Sequence, residues 1–475
     1  ATTEHTLLNA GFNLLGTSLA AQEYWDNHRA LDYLLTRKDI DPDHIGVYGS
    51  SGGGTQTAYY IGLDPRVKVA AICSFFSTRE RTMELQGPSD GCQHIPYEGR
   101  EQLEVPDFAL MMAPRPLLIL SGKYDFVDLW GAQQGFAELQ QCYKVLGVPE
   151  KVDMLTVETG HGLGAEKRQK LASWFKRWLK DNQSPVKKAA QDRFQLSDML
   201  CTTKGQVNVS IPGALSIMQE NVNQLDEWAP KRETFLSKGK KTVQTKMLDL
   251  LGLKGLPDHK IRIEATGHDS MREYEQYKFQ LIREGEMPVP CILIMPSRAN
   301  ADSPIELRLQ EEGKGTYLSE YANFAAALTE GKILLLADLR GLGETTDPAF
   351  YTDAKYWNRE YRNAMISMHI GRPIMGQRVV DILTLLDFCS EHELLKGHPV
   401  KVFANGIYGP AVIHAAYLDE RINSVEIKHS MKTWKEYIEK PMQWDMYSNV
   451  LYGALKYYDL PDLIRLSNCP IRFAD

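Results

Sequence analysis

The order of apolar and polar residues predicts alternating helices and strands over residues 17–181. Apolar residues recur at helical spacing over 17–36, 55–63 and 165–181. Short runs rich in branched apolar residues predict buried strands at 45–50, 67–76, 115–122 and 151–160. Strands that alternate with helices form parallel sheets whose two faces are covered, so the fold class is α/β.

The later residues predict a second sheet that begins differently. Helical patterns fill 217–253, and paired antiparallel strands are predicted at 260–267, 274–284 and 289–298. The polar segment 182–195 is typical of a linker. We therefore expect a first domain at 1–182, a linker with crossover helices at 183–255, and a second domain at 256–475.

Composition and charge argue against two classes of partner, nucleic acids and membranes. The chain has 475 residues, 43% of them hydrophobic, and its 54 basic and 61 acidic residues give a formal net charge of −7. It has no long basic tract, so we expect no nucleic-acid partner. No apolar run is long enough to span a membrane, and the first residues lack the charged-then-apolar order of a signal peptide. We therefore expect no membrane partner.

The seven cysteines form no metal or redox motif, because none of them stand in the close pairs of a zinc site. Their odd number leaves at least one thiol unpaired within a monomer. They are scattered at Cys73, Cys92, Cys142, Cys201, Cys291, Cys389 and Cys469. The segment GLGET (341–345) lacks the glycine spacing of a phosphate-binding loop. We therefore expect neither a metal nor a cofactor.

One serine lies in a glycine-rich junction between a predicted strand and a predicted helix. The segment Gly49-Ser50-Ser51-Gly52-Gly53 satisfies the pattern G-x-S-x-G in the structural context that this motif requires. A tight turn there forces the serine into a strained conformation, and the flanking glycines keep other side chains away. The pattern therefore predicts that the Ser51 hydroxyl projects above the sheet as a nucleophile. The alternative is a glycine-rich turn with a solvated serine.

A serine nucleophile needs a base and an acid, and both follow later in the chain. Asp125 comes just after the strand at 115–122, and His161 lies in a glycine-flanked loop after the next strand. The order Ser, Asp, His is that of α/β-hydrolases. Asp128 is the alternative acid. For His94, the alternatives are a place in the substrate pocket and a purely structural role.

Residues 16–182 resemble the catalytic part of acetyl xylan esterases and dienelactone-hydrolase-like α/β-hydrolases. The matching segments are WDNHRALDYL, RKDIDPDHIGVYGSSGGGTQ, GCQHIP, MMAPRPLLILSGKYD and GHG. The resemblance implies that Ser51 is the nucleophile, Asp125 the acid and His161 the base. It also implies that the Gly52 N–H contributes to the oxyanion hole. The resemblance implies a secreted or periplasmic location, although the first residues show no signal peptide, so the localisation stays unknown.

The second part of the chain resembles the first at a constant offset of 355 residues. Asp26 falls on Asp381, and the segment LDPRV (63–67) falls on LDERI (418–422). This predicts a duplicated hydrolase domain. The same offset places Ser51 on Gly406, so the second copy has no nucleophile at its elbow and is expected to be degenerate.

The offset also predicts that the chain is truncated at both ends. The strand and loop at 333–345 have no counterpart before the helix at 17–36. That loop ordinarily supplies the second oxyanion-hole N–H. We therefore expect weak hydrolysis and association of two chains through the sheet edge that the missing strands would cover.

The function expected from these residues is hydrolysis of carboxylic esters, most simply the release of acetyl groups from plant polysaccharide such as xylan. An acyl-enzyme would form on Ser51, and the partner of the chain would be an acylated carbohydrate. Two alternatives remain open. One is a prolyl-oligopeptidase-like serine peptidase, and the other is a non-catalytic module with a hydrolase fold.

Overall fold

The structure, a computed structural model, describes residues 2–186, 194–348 and 355–474. Contacts within these ranges divide the chain into two compact units. Unit A comprises residues 18–216, and unit B comprises residues 2–17 together with 217–474. Part of the predicted linker, residues 187–193, lies outside the described residues. The first helix of the chain, α1 (Thr2–Leu14), belongs to unit B.

Unit A alternates strands and helices, as the apolar pattern predicts. Its strands are β1 (Gly46–Ser50), β2 (Val69–Cys73), β3 (Leu117–Gly122) and β4 (Val152–Val157). Its helices are α2 (Leu19–Leu35), α3 (Gly52–Ile61), α4 (Arg79–Gln86), α5 (Val105–Leu110), α6 (Leu129–Val145), α7 (Ala165–Lys180) and α8 (Val207–Ser210).

The four strands of unit A form one parallel sheet, sheet A, in the order β1-β2-β3-β4. Successive residues of β2 and β3 point to opposite faces, as the pleat requires. Ala70 and Ile72 pack into a core with residues of α3, α5 and α6. Val69 and Ala71 pack into a second core with residues of α7. Both faces of sheet A are therefore apolar and covered, which confirms the predicted α/β class.

Unit B contains the remaining elements. Its strands are β5 (Arg262–Ser270), β6 (Tyr274–Ile282), β7 (Val289–Pro296), β8 (Ile305–Leu309), β9 (Ile333–Ala337), β10 (Val400–Asn405), β11 (Ile422–Lys428) and β12 (Ile471–Ala474). Its helices, besides α1, are α9 (Ile217–Leu236), α10 (Lys240–Leu250), α11 (Lys314–Leu318), α12 (Ala322–Thr329), α13 (Tyr361–His369), α14 (Ile374–Glu391), α15 (Gly409–Leu418), α16 (Lys435–Glu439) and α17 (Leu460–Leu466).

The strands of unit B form sheet B in the order β12-β11-β10-β8-β9-β7-β6-β5. The five strands from β12 to β9 are parallel to one another. Strands β7, β6 and β5 continue the sheet in antiparallel fashion. The three antiparallel strands that the sequence predicts at the start of this sheet are therefore present. None of the helices in the described ranges combines the length and the apolar composition needed to cross a membrane.

Helix α1 packs against α9 and α16 within unit B. Most of its apolar side chains are buried, and Asn9 donates a hydrogen bond to the Tyr447 hydroxyl at 2.8 Å. The Gly453 N–H also donates to the Asn13 carbonyl at 2.7 Å. The sequence predicts a first domain at 1–182, whereas these contacts group residues 2–17 with unit B. The division into domains at 1–182, 183–255 and 256–475 stays a prediction.

Candidate active site

Ser51 lies at the junction of β1 and α3, in the conformation that the glycine motif predicts. Its φ is 59° and its ψ is −122°, a strained combination for a residue with a side chain. Two backbone hydrogen bonds hold it there: the Ser51 N–H donates to the Cys73 carbonyl at 3.0 Å, and the Thr55 N–H donates to the Ser51 carbonyl at 3.0 Å. The sharp turn thus follows from the hydrogen bonds of the adjacent strand and helix.

The glycines around Ser51 have different roles. A Cβ at Gly49 would overlap the Gly53 carbonyl oxygen, so this position requires glycine. A Cβ at Gly53 would meet no atom within 4 Å, whereas one at Gly54 would lie 2.7 Å from the Cys73 carbonyl oxygen. The second glycine that the packing requires is therefore Gly54, one residue beyond the motif.

The Ser51 side chain is not used to cap α3. The helix begins at Gly52, whose N–H has no acceptor within the helix because it belongs to the first residue. The Gly52 N–H is thus available to an oxygen atom bound near Ser51. The positive end of the helix dipole favours an oxygen atom that carries negative charge. Its role in an oxyanion hole stays a prediction.

His161 and Asp125 form a hydrogen-bonded pair after β4 and β3. The distance from His161 Nδ1 to Asp125 Oδ1 is 2.7 Å. The Asp125 side chain is 1% exposed and that of His161 is 29% exposed. An ionised carboxylate only accepts hydrogen bonds, so in the neutral imidazole the proton lies on Nδ1 and the lone pair on Nε2. The Phe126 ring stacks on the imidazole at 4.2 Å between ring centroids.

The surroundings of Asp125 favour its ionised form. Burial opposes ionisation, but hydrogen bonds from His161, the Val127 N–H and the Ser74 hydroxyl outweigh it. The pKa of Asp125 therefore lies below its ordinary value. The carboxylate is charged at neutral pH and can stabilise an imidazolium on His161.

A buried lysine contacts the residues next to this pair, and the sequence motifs do not indicate it. Lys167 is fully buried, and its Nζ donates to the Ser74 hydroxyl at 3.2 Å and to the Gly162 carbonyl at 3.0 Å. The Gly162 N–H also donates to the Ser74 hydroxyl at 3.1 Å. The Cys73 thiol also lies 3.7 Å from this hydroxyl, and the Ser74 hydroxyl helps to lower the pKa of Asp125. These contacts join Ser74, whose hydroxyl influences the acid, to the loop that carries His161.

One signal in the sequence could have identified Lys167. It lies four residues before Leu171 and seven before Trp174, which are the buried residues of α7. A lysine on the apolar face of an amphipathic helix is unusual, because a buried ammonium group needs polar partners. Its partners, however, come from two other segments of the chain, and no pattern within α7 indicates them.

The structure assigns other roles to the two alternative residues. Asp128 precedes α6, and its carboxylate accepts hydrogen bonds from the Gly131 N–H at 2.7 Å and from Arg81 at 3.3 Å. It therefore caps the helix. His94 is buried, and its Nε2 accepts a hydrogen bond from the Ser89 N–H at 3.0 Å, which is a structural contact.

The structure brings Asp125 and His161 together and places Ser51 at the carboxyl edge of the same sheet. Ser50 pairs with Cys73 in the parallel register, so Ser51 and Ser74 both follow strand ends at this edge. The hydrogen bonds of the described residues do not include one from the Ser51 hydroxyl to His161. Such contacts often form only with substrate bound. All seven cysteines are free thiols.

A family model and a curated relative were found for the part of the chain that contains this site. A sequence model of the prolyl oligopeptidase family matches residues 15–182. The "putative hydrolase YtaP" of Bacillus subtilis (strain 168) is 26% identical over 168 residues, which are 35% of this chain and 56% of that protein. The chain thus spans little more than half the length of this curated relative. The family match supports a serine hydrolase with an α/β-hydrolase fold.

Two solved structures also align with the chain. A "putative acetyl xylan esterase" from Bacteroides fragilis NCTC 9343 is 14% identical, with a TM-score of 0.45, over 56% of this chain and 77% of that one. Acetyl xylan esterase 1 from Thermoanaerobacterium sp. JW/SL YS485 is 15% identical, with a TM-score of 0.34, over 49% of this chain and 77% of that one.

Proposed function

We propose that unit A is a serine carboxylic-ester hydrolase that removes acetyl or other small acyl groups from plant cell-wall polysaccharide such as xylan. The observation that carries the proposal is the His161–Asp125 hydrogen bond at the sheet edge where Ser51 occupies its strained turn. A nucleophile, a base and an oriented acid are the parts that acyl transfer requires. No metal or cofactor is needed for this chemistry.

The reaction takes place in two halves. His161 Nε2 accepts the Ser51 proton while Oγ attacks the ester carbonyl carbon, and the Gly52 N–H stabilises the resulting oxyanion. The C–O bond to the sugar then breaks, and the imidazolium returns its proton to the sugar oxygen. In the second half, His161 takes a proton from water, the hydroxide attacks the acyl-enzyme, and the acid is released as Ser51 regains its proton.

A serine peptidase is the second candidate function. The match of residues 15–182 to the prolyl oligopeptidase family favours it. The same residues would act in the same order, with a peptide nitrogen as the leaving group in place of a sugar oxygen. A non-catalytic module is the third candidate, since the described residues do not include a Ser51–His161 hydrogen bond.

One experiment separates the three candidates. The full chain is assayed with acetylated xylan, 4-nitrophenyl acetate and a proline-containing peptide anilide, and each rate is repeated with Ser51→Ala and with Ser50→Ala as the matched control. We expect acetate release that Ser51→Ala abolishes and Ser50→Ala retains. Cleavage of the anilide alone would establish the peptidase, and no Ser51-dependent turnover of any substrate would establish the non-catalytic module.

We also propose that unit B is a degenerate copy of the same fold. At the offset of 355, β1, β2 and β3 fall on β10, β11 and β12, and each set consists of parallel neighbours in the same order. Ser74 falls on His429, and their φ angles are 49° and 50°. This agreement of strand order and local backbone supports duplication.

A further inference from the structure

Unit B keeps a polar cavity at the position where unit A has its candidate active site. The cavity has a volume of about 360 Å³ and lies at the carboxyl ends of β10 and β11. Gly406 and His429, which follow those strands, line it together with residues of the segment 436–449. Ligands of open α/β sheets bind at this edge. The proposed hydrolysis in unit A does not use this cavity.

Glu311 occupies the place that a nucleophile would take. A Cβ at Gly406 would overlap the Glu311 carboxylate. The Ile407 N–H, which corresponds to the Gly52 N–H, donates to Glu311 Oε2 at 3.0 Å. A carboxylate in this position repels the oxyanion of an acyl-transfer reaction. The cavity can therefore hold a ligand but is not equipped to hydrolyse one.

Strained backbone is concentrated around the same cavity. The four non-glycine residues with positive φ in the described part of unit B are Tyr356 (51°), Trp357 (63°), His429 (50°) and Asp445 (55°). His429 and Asp445 line the cavity, and the Asp445 N–H donates to the Trp357 carbonyl at 2.8 Å. Residues in this conformation cost free energy and occur preferentially at functional sites.

Hydrogen bonds hold this strained segment in place. The Asp445 carboxylate accepts from the Arg359 N–H and from Arg359 Nε, each at 2.7 Å. Arg359 Nη2 also lies 3.3 Å from Glu311 Oε2. The guanidinium therefore links the carboxylate at the elbow to the segment that carries Trp444, so the wall of the cavity is preorganised.

An exposed aromatic surface adjoins these polar groups. Trp444 lines the cavity, is 63% exposed and stacks on Trp357 with 5.7 Å between ring centroids and 15° between ring planes. A flat indole presents an apolar face to solvent, and the C–H face of a sugar ring can pack against it. Carboxylates beside it accept hydrogen bonds from hydroxyl groups.

The charge of the residues that line the cavity favours neutral sugars over anionic ones. Its described residues include three carboxylates, Glu311, Glu436 and Asp445, against the single guanidinium of Arg359. An anionic sugar would meet net negative charge, whereas a neutral sugar offers hydroxyl donors to the carboxylates.

We propose that this cavity of unit B binds a neutral oligosaccharide, with a sugar ring stacked on Trp444 and hydroxyl groups donated to the carboxylates. The binding requires no hydrolysis in unit A. Only the further step, that this saccharide belongs to the polysaccharide whose esters unit A cleaves, rests on the proposed function.

Calorimetric titration of the full chain tests the proposal with unacetylated xylohexaose, cellohexaose and mannohexaose, none of which carries an ester. We expect at least one to bind, and Trp444→Ala to weaken its binding at least tenfold. Glu436→Gln removes the negative charge of an exposed side chain and keeps its volume, and it should weaken binding several-fold. Trp25→Ala removes another exposed tryptophan, in unit A, and should leave binding unchanged.

Trigalacturonate is the anionic probe and is expected to bind more weakly than the neutral hexasaccharides. The proposal is overturned if none of the three hexasaccharides binds, if Trp444→Ala binds as the wild type does, or if trigalacturonate binds most tightly. Binding without ester hydrolysis would support this inference and refute only the proposed function. Ester hydrolysis without saccharide binding would support the proposed function and refute this inference.

Discussion

Ser51 and Gly406 lie 355 positions apart, and both adopt a positive φ, 59° and 68°, directly after a parallel strand. The turn therefore has the same form with and without a nucleophile. Its conformation is fixed by the adjacent strands and helix, and glycine is the residue that adopts it at least cost. What distinguishes unit A is the hydrogen-bonded pair of Asp125 and His161 at the same sheet edge, so the proposed function rests on this pair.

Ser51→Ala should lower kcat for 4-nitrophenyl acetate by at least about 10³-fold, because it removes the oxygen on which the proposed acyl-enzyme forms. The thermal midpoint should change little, since the hydroxyl makes no capping hydrogen bond. Steady-state kinetics and calorimetry measure the two quantities. Ser50→Ala, one residue earlier, is the control that should keep its activity. Equal loss in both variants would mean that the turn has been damaged and that the nucleophile is not identified.

Lys167→Met should lower kcat about tenfold or more and leave KM nearly unchanged, because Lys167 positions the acid and the histidine loop without touching substrate. Ser74→Ala should lower kcat similarly, and the double variant should lose less than the sum of the two effects on the activation free energy. Lys170→Met, on the same helix but paired with Asp153 at the surface, is the matched control. Additive losses, or a rise in KM alone, would contradict the positioning role.

His414 should make unit B less stable in acid. Burial lowers its pKa to about 4, although its hydrogen bond to the Pro410 carbonyl opposes this shift. The Tyr458 hydroxyl lies 3.1 Å from Nε2, so the neutral ring is bonded at both nitrogens. Below its ordinary pKa of about 6.5 the unfolded chain binds a proton that the folded chain does not. Stability is therefore lost as pH falls from about 6.5 towards 4.

Chemical denaturation at pH 7 and pH 4.5 measures this loss, for which we expect on the order of 2–3 kcal/mol from His414 alone. His414→Gln should show a drop between the two pH values that is smaller by about that amount. His44→Gln changes an exposed histidine and should keep the drop of the wild type. The same pH dependence in all three proteins would show that His414 titrates normally.

The outer edge of β1 should promote association between copies of the chain. Strand β1 pairs only with β2 among the described strands, and its Tyr48 is 56% exposed. An exposed edge offers unpaired backbone groups to another strand, and a charged side chain discourages this pairing. Tyr48→Lys should therefore weaken self-association at least tenfold by sedimentation equilibrium. Tyr33→Lys, which changes an exposed tyrosine on α2, should not. A monomeric wild-type chain would refute this prediction.

Much of the fold could be predicted from sequence because its signals are local. The apolar runs at 67–76 and 115–122 contain β2 and β3, and the glycines around Ser51 predict its turn. The partners of Lys167 and Glu311 could not be predicted in this way. Lys167 contacts a serine 93 residues away, and Glu311 contacts an N–H 96 residues away. Such contacts depend on which strand ends meet at a sheet edge, and no single segment encodes that.

Restoring serine at Gly406 should not create a second active site. A side chain there would overlap the Glu311 carboxylate, which already accepts the hydrogen bond of the Ile407 N–H. The imidazole at this sheet edge, His429, is hydrogen-bonded to the Asn405 side chain and not to a carboxylate. In a Ser51→Ala background, Gly406→Ser should therefore give no ester hydrolysis. It should also destabilise unit B by about 1–3 kcal/mol, because the residue must keep a positive φ and displace Glu311.

The additional change Glu311→Ala separates the two causes. It removes the overlap, so we expect part of the lost stability to return in chemical denaturation while ester hydrolysis stays absent. Gly406→Ala is the control, because it introduces the same overlap and backbone strain but no hydroxyl group. It should be destabilised as much as Gly406→Ser. Measurable turnover of 4-nitrophenyl acetate in Ser51→Ala/Gly406→Ser, with or without Glu311→Ala, would contradict the prediction. Unit B would then retain a working base, and its cavity would be an active site and not a binding site alone.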